Sequence, residues 1–146
     1  MDKVRILVID DSEEYLMLFR RAASRFGQIS NVEACADGKQ ALEYFQNGFT
    51  LRAESGFEMP DLVLIDVNMP LMDGFEFIEA LGDWAAKQSH DLLKKPPVFL
   101  MVSSSSDPKD IKRSKAIPHV SGYHAKRYDP KGCMEMIEEC LKHHSS

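Results

Sequence analysis

Apolar and polar residues follow two different periods along the chain, and the period changes from one segment to the next. Short and nearly continuous apolar runs, such as Val4–Ile9, are typical of buried strands. Between these runs, apolar residues recur every three or four positions, which is typical of one face of a helix. The later runs that predict strands are "NVEACA", "LVLI", "VFLMV" at Val98–Val102 and "VSGYHA". The pattern therefore predicts five strands that alternate with five helices.

Several predicted helices begin with residues that favour a helix start. Ser12 is placed to cap the first helix, and Gly27 is expected to end it. The fourth and fifth helices start with the dipeptide Asp-Pro, at Asp107 and at Asp129. The second helix is predicted over "DGKQALEYFQNG". The apolar faces of the first and third helices comprise Tyr15, Leu18, Phe19, Ala22 and Phe26, and Phe77, Ile78, Leu81 and Trp84.

Two segments are longer than a minimal connection between elements requires. The first, "NGFTLRAESGFEMPD", separates the second helix from the third strand and is predicted to be a surface excursion. The second, "DWAAKQSHDLLKKPP", precedes the fourth strand and indicates that the third helix continues beyond its apolar face.

Five strand–helix pairs with short connections predict an α/β fold in which helices cover both faces of a parallel sheet. For a doubly wound sheet of five strands we expect the order 2-1-3-4-5. At 146 residues the chain is expected to form one domain over residues 1–146.

Composition narrows the range of partners. Hydrophobic residues make up 44% and charged residues 28% of the chain, as in ordinary soluble domains, and the net charge of −5 argues against nucleic acid as a partner. No apolar run approaches the roughly 20 residues of a membrane span. The N-terminus lacks the cleavage site of a signal peptide, so we expect a cytoplasmic protein. The three cysteines have no framework spacing and are expected to be small buried residues.

Carboxylates follow two strands that are adjacent in the predicted sheet. Asp10 and Asp11 come directly after the first strand, and Asp66 comes directly after the third. The carboxyl ends of these strands meet at the switch point of the sheet, where doubly wound folds bind ligands. Three carboxylates at close range repel one another unless a hard cation lies among them, and oxygen ligands suit Mg²⁺. The alternative is that Asp10 and Asp11 only cap the first helix.

Two further groups are expected at the same edge of the sheet. Ser103 ends the fourth strand and Lys126 follows the fifth. A hydroxyl donor and a compact positive charge are suited to binding a phosphoryl group. Each is weak evidence alone, because "SSSS" is also typical of a polar loop and most lysines lie on the surface.

Taken together, these motifs resemble the receiver domain of two-component response regulators. The matching stretches are "ILVIDDSE", "LIDVNMPLMDGFEF", "FLMVSSS" and "GYHAK", in the order that the family has them. The resemblance covers essentially the whole chain. The chain is similar in its organisation to the single-domain chemotaxis response regulators of this family. It implies a flavodoxin-like receiver fold.

The resemblance also implies a chemistry for the site. Asp66 would accept a phosphoryl group from a phosphohistidine on a sensor histidine kinase or a histidine phosphotransfer protein. Ser103 and Lys126 would bind the phosphoryl oxygens, so that catalysis is mainly positioning and electrostatics. The family's ligands for Mg²⁺ would correspond to Asp11, Asp66, the backbone carbonyl of Asn68 and, through water, Asp10. The chain would be a signalling module and no enzyme beyond its own phosphorylation and slow dephosphorylation.

The resemblance further implies how phosphorylation is communicated. In the family, an aromatic residue at the position of Tyr123 turns inward when the hydroxyl residue moves towards the phosphoryl group. The altered surface would be the fourth helix, fifth strand and fifth helix, where a downstream protein binds. Alternatively, Tyr123 is an edge-strand residue with its hydroxyl in water. One departure is that Arg127 follows Lys126, where the family usually has proline, often in a cis peptide.

Three other interpretations compete with a phosphorylated signalling module. An aspartate-nucleophile phosphatase similar to the haloacid dehalogenases would need Asp-x-Asp after the first strand, but this chain has Asp10-Asp11-Ser12. A receiver from a transcription factor would need a DNA-binding domain, for which we expect no room after the last helix. A degenerate receiver would bind partners without phosphorylation. The intact set of Asp10, Asp11, Asp66, Ser103 and Lys126 argues against that third interpretation.

Overall fold

A computed structural model describes residues 3–55, 58–88, 96–104 and 107–145. Five parallel strands form one sheet in the order β2-β1-β3-β4-β5, which confirms the predicted fold class and strand order. The strands are β1 (Val4–Ile9), β2 (Ile29–Cys35), β3 (Leu62–Ile65), β4 (Val98–Ser103) and β5 (Val120–Ala125). The helices are α1 (Glu13–Ala23), α2 (Gly38–Ser55), α3 (Gly74–Ala86), α4 (Pro108–Lys115) and α5 (Pro130–Ser145).

The sheet has a buried apolar core on each face. Successive side chains of a strand point to opposite faces, so Ile6 and Val8 of β1 join one core while Leu7 and Ile9 join the other. The first core contains buried residues of α1 and α5, and the second contains buried residues of α2 and α3. Because both faces are covered, the central strands are apolar at nearly every position, as the sequence pattern predicted.

The strand register brings the ends of the central strands to the same level. Ile9 of β1 is paired with Ile65 of β3, and Ile65 is paired with Met101 of β4. The residue after each of these strands therefore lies at one edge of the sheet. The amide of Asp66 continues the ladder by donating to the carbonyl of Ile9 at 2.9 Å.

The predicted helix caps form in the structure. The Ser12 hydroxyl accepts a hydrogen bond from the Tyr15 amide at 3.2 Å. The Asp107 carboxylate accepts from the Lys109 amide, and the Asp129 carboxylate accepts from the Gly132 amide. These bonds satisfy backbone donors that have no partner within the first turn of a helix.

The end of the first helix and the start of the second strand differ from the prediction. The first helix ends at Ala23 rather than at Gly27, because the amides of Arg25 and Phe26 bond three residues back in a tighter turn. Strand β2 begins at Ile29, two residues before the predicted "NVEACA", because its pairing with β1 already starts there.

The segment "NGFTLRAESGFEMPD" is mostly helical rather than a surface excursion. Helix α2 continues through Gly48 as far as Ser55. A glycine inside a helix costs only about 1 kcal/mol relative to alanine, and the following Leu, Arg, Ala and Glu are good helix formers. The prediction that the third helix continues into "KQSHDLLKKPP" concerns residues 89–95, which lie outside the described residues; α3 itself ends at Ala86.

Two predictions from composition bear on the described residues. None of the described helices combines the length and the apolar character that crossing a membrane would require. Cys35, Cys133 and Cys140 are buried free thiols, as expected.

Candidate functional site

Lys126 forms a buried ion-pair cluster with two aspartates at the C-terminal edge of the sheet. Its ammonium lies 2.6 Å from Oδ2 of Asp10 and 3.6 Å from Oδ2 of Asp66. The side chains of Lys126, Asp10 and Asp66 are only 5%, 3% and 8% exposed. Charges so deeply buried are tolerated only when they are paired and hydrogen-bonded. The sequence prediction that the residues following three different strands converge is therefore confirmed.

Backbone bonds hold each of these residues at the end of its strand. The amide of Asp10 donates to the carbonyl of Cys35 at 3.0 Å, and that of Lys126 donates to the carbonyl of Ser103 at 2.9 Å. The Oδ1 atom of Asp10 accepts from the Ser12 amide at 2.9 Å. Asp10 therefore contacts both the start of α1 and Lys126. Its contact with the helix start is compatible with a role in the site.

Asp11 adds a third carboxylate to the site. One carboxylate oxygen from each of Asp10, Asp11 and Asp66 lies within 4.8 Å of the others, and Asp11 is exposed whereas the other two are buried. Oxygen ligands of Mg²⁺ lie about 2.1 Å from the ion, so that ligand oxygens in one octahedral sphere are roughly 3 to 4 Å apart. Three hard oxygen donors at this spacing, open to solvent on the Asp11 side, fit a magnesium ion that keeps several waters.

Burial raises the pKa of Asp66 to about 6. The charge of Lys126 and a backbone N–H of Asn68 favour the ionised form, but the charges of Asp10 and Asp11 oppose it. For Lys126, burial disfavours the charge, yet the hydrogen bond and the negative charge of Asp10 outweigh it and raise the pKa above its usual value. The surroundings of Lys126 therefore favour its charged form, whereas the ionised form of Asp66 is disfavoured and would be stabilised by a further positive charge.

The remaining predicted site residues lie at the same edge. Ser103 is the last residue of β4 and is 1% exposed. Asn68 lies in the loop after β3, and its amide is 3.4 Å from Oδ1 of Asp66. The predicted roles of the Ser103 hydroxyl and the Asn68 carbonyl stay predictions.

Two tyrosines lie beside Lys126 that no sequence motif marked as site residues. The ammonium of Lys126 lies 4.4 Å from the ring centroid of Tyr15 and 5.8 Å from that of Tyr128. The spacing of apolar residues assigned Tyr15 to the core face of α1, which it also occupies. The sequence offered two signals for these residues. Tyr15 lies in the first helical turn after the paired aspartates, and Tyr128 lies two residues after Lys126.

Gly74 was also missed, although the "DG" before α3 is conspicuous. A Cβ atom on Gly74 would come within 2.6 Å of the carbonyl oxygen of Asp66 and 2.9 Å of Cγ2 of Ile65. The start of α3 therefore packs directly against the backbone of Asp66. Only glycine permits this approach without a shift of the Asp66 backbone.

Arg127 directly follows Lys126, and Tyr123 lies on β5 three residues before Lys126. The Lys126–Arg127 peptide is trans, and the Arg127 guanidinium lies 3.9 Å from Asp129 and 4.0 Å from Glu135. Tyr123 is half-buried and packs against the core shared by α2 and α3. This packing leaves both sequence-based interpretations of the Tyr123 hydroxyl open.

Comparison with known proteins identifies relatives over most of the chain. The family model of the response regulator receiver domain matches residues 6–138. The chain is 32% identical over 138 residues to a probable methanogenesis regulatory protein, FilR2, from Methanothrix harundinacea, covering 94% of this chain and 81% of FilR2. It is 35% identical over 77 residues to PhoP, the alkaline phosphatase synthesis transcriptional regulatory protein of Bacillus subtilis, covering 53% of this chain.

The chain spans most of FilR2 but only 27% of PhoP. Among solved structures, the chemotaxis response regulator CheY4 of Vibrio cholerae is 27% identical with a TM-score of 0.68, and the match covers 95% of this chain and 99% of CheY4. The family match, the parallel sheet and the three converging carboxylates agree with one another. The chain belongs to the response regulator receiver domain family of two-component signalling systems.

Proposed function

We propose that Asp66 accepts a phosphoryl group from the phosphohistidine of a sensor histidine kinase or a histidine phosphotransfer protein, in a reaction that depends on Mg²⁺. One observation carries the proposal: the Asp66 carboxylate ends a buried central strand, faces the two other carboxylates and lies 3.6 Å from a buried ammonium. A carboxylate that is buried beside two others repels them, which suits a site that takes up a cation and a phosphoryl group better than a purely structural one.

The chain's own residues would act mainly by position and charge. A carboxylate oxygen of Asp66 attacks phosphorus, the bond from phosphorus to the imidazole nitrogen of the donor breaks, and an acyl phosphate forms. Lys126 neutralises oxygen charge on one side, and Ser103 would donate a hydrogen bond to a phosphoryl oxygen. Mg²⁺, held by Asp11 and Asp66 with the Asn68 carbonyl and, through water, Asp10, would supply the further positive charge that three carboxylates and a phosphoryl group require.

Phosphorylation by a small donor tests this proposal directly. The wild-type protein incubated with Mg²⁺ and acetyl phosphate should gain one base-labile phosphoryl group by intact mass spectrometry, and chelation of Mg²⁺ should prevent the gain. Asp66→Asn should gain none. Asp61→Asn is a matched control, because Asp61 precedes the same strand at the opposite edge of the sheet. Absence of any gain in the wild type would instead favour a degenerate receiver that binds partners without phosphorylation.

We also propose that the phosphorylated domain signals to a downstream protein through the face formed by α4, β5 and α5. An acyl phosphate adds a charge of about −1.5 to −2 and strong acceptor oxygens, which can draw the end of β4 and the neighbouring Tyr123 towards the site. The loop after Ser104 includes residues 105 and 106, which lie outside the described residues.

The free buried cysteines are consistent with a protein that acts in the reducing cytoplasm.

Chemical shifts with and without beryllofluoride and Mg²⁺ would test this face. We expect changes that extend from Asp66 through residues 116–127. Changes confined to the surroundings of Asp66 would exclude this route while leaving phosphorylation itself intact.

A further inference from the structure

Tyr15 contacts the lysine of the site through the face of its ring. The ring centroid lies 4.4 Å from the Lys126 ammonium, well within the roughly 6 Å over which an aromatic face attracts a cation. We propose that Tyr15 is a positioning residue that holds the Lys126 ammonium between Asp10 and Asp66 for phosphoryl transfer. This inference rests on the proposed function and specifies how the chain keeps the buried ammonium of the site in place.

The surroundings of this contact make it stronger than an exposed one. Tyr15 is 2% exposed and the Lys126 side chain is 5% exposed, so water competes little for the ammonium. The ammonium has Asp10 at 2.6 Å, Asp66 at 3.6 Å and the Tyr15 ring on a further side. Desolvated cation–π contacts are the strongest of their kind.

The Tyr15 ring is itself held on several sides. Its hydroxyl lies 3.8 Å from Sδ of Met136 on α5. The Phe19 ring lies 6.2 Å away, and the Tyr128 ring meets it edge-on at 5.9 Å. Such a ring presents a fixed face to the ammonium, whereas an aliphatic side chain would fill the space without attracting the charge.

The backbone alone does not determine where this ammonium lies. The amide of Lys126 donates to the carbonyl of Ser103, but four side-chain torsions lie between its Cα and the charged nitrogen. Without the Tyr15 ring, only the more distant Asp66 carboxylate and Tyr128 ring would oppose the strong attraction of Asp10. The ammonium would then meet a phosphoryl group on Asp66 less often.

Two variants at Tyr15 separate the ring from its hydroxyl. Tyr15→Phe keeps the aromatic face, and we expect its phosphorylation rate with acetyl phosphate to stay within about twofold of wild type. Tyr15→Leu keeps an apolar core residue but loses the face, and we expect its rate to fall roughly 3- to 30-fold, the range that corresponds to a cation–π contact. Affinity for Mg²⁺ should change little in either variant, because Tyr15 offers the ion no ligand.

Phe45→Leu is the control for core packing. Phe45 is fully buried, but it lies in the core shared by α2 and α3, on the opposite face of the sheet from Tyr15. Its replacement should lower the free energy of unfolding as Tyr15→Leu does, while phosphorylation stays near the wild-type rate. An equal loss of rate in Phe45→Leu and Tyr15→Leu would show that packing alone is responsible and would overturn the inference.

A spectroscopic measurement tests the contact without any phosphorylation. Protons above an aromatic ring are shifted upfield, so the ε-methylene protons of Lys126 should be upfield in wild type and Tyr15→Phe and should return to the ordinary lysine position in Tyr15→Leu. An ordinary position in wild type would overturn the positioning role even if Asp66 is phosphorylated. An upfield position in a wild-type protein that takes up no phosphoryl group would support the contact and overturn the proposed function instead.

Discussion

Charged residues lie at both edges of the sheet, where the strands begin and where they end, but the two edges differ sharply in how far these side chains are exposed to solvent. At the C-terminal edge, Lys126 joins Asp10 and Asp66 in a cluster whose side chains are at most 8% exposed. At the N-terminal edge, Arg5 pairs with Glu58 at 2.9 Å, and these side chains are 32% and 67% exposed. The first cluster must be satisfied internally or it destabilises the fold, whereas water satisfies the second. The sheet therefore concentrates its electrostatic cost at the edge that carries the site.

Removing the cation of each cluster should produce the largest contrast. Lys126→Met leaves Asp10 and Asp66 buried without a positive charge beside them, so the free energy of unfolding should fall by about 3 kcal/mol in metal-free buffer. Arg5→Met, its counterpart at the opposite edge, should cost less than about 1 kcal/mol. Urea unfolding of both variants measures the difference. Equal losses would show that burial of the Lys126 cluster has no special energetic weight.

Removing the carboxylate at either end of β3 should change the free energy of unfolding in opposite directions. Burial and the charges of Asp10 and Asp11 make the ionised form of Asp66 unfavourable, so Asp66→Asn should stabilise the metal-free protein by about 1–2 kcal/mol at neutral pH. Asp61 accepts a hydrogen bond from the Arg5 amide at 2.8 Å. Asp61→Asn weakens that charge-assisted bond and should destabilise by about 1 kcal/mol. Thermal and urea unfolding in the presence of a chelator would reveal both signs.

Magnesium should offset the repulsion among Asp10, Asp11 and Asp66 at the C-terminal edge of the sheet, and should have no such effect at the N-terminal edge. At a tenfold excess over its dissociation constant, Mg²⁺ should stabilise the wild type by about 1.4 kcal/mol. Asp11 is exposed, so Asp11→Ala should leave the metal-free stability almost unchanged while most of this gain disappears. Calorimetric titration and unfolding with and without Mg²⁺ measure the two quantities. An undiminished gain in the variant would place the ion elsewhere.

The smallest effect is expected for the exposed partner of Arg5. Glu58→Gln removes one charge from an ion pair open to solvent, and the free energy of unfolding should change by no more than about 0.5 kcal/mol. The change should also shrink in 1 M salt, because exposed pairs are screened. A loss as large as that of Lys126→Met would contradict the division of the molecule into a costly edge and an inexpensive one.

Much of the fold followed from local patterns in the sequence. The apolar runs placed all five strands in order, and the capping residues Ser12, Asp107 and Asp129 marked three helix starts that the structure confirms. These signals are local, since a strand period or a cap needs only a few neighbouring residues. Where the local signal was weak, as at Gly48 inside α2, the predicted boundary was wrong.

The strand pattern also identifies the residues that end the strands, and therefore predicts that Asp10, Asp66 and Lys126 share one edge. That the ammonium lies nearer to Asp10 than to Asp66, with the Tyr15 ring beside it, is visible only in the folded protein. These distances join residues far apart in the chain, through side chains with several rotatable bonds. Their positions depend on how α1, α5 and the sheet pack together, because packing rather than any local pattern selects one rotamer among many.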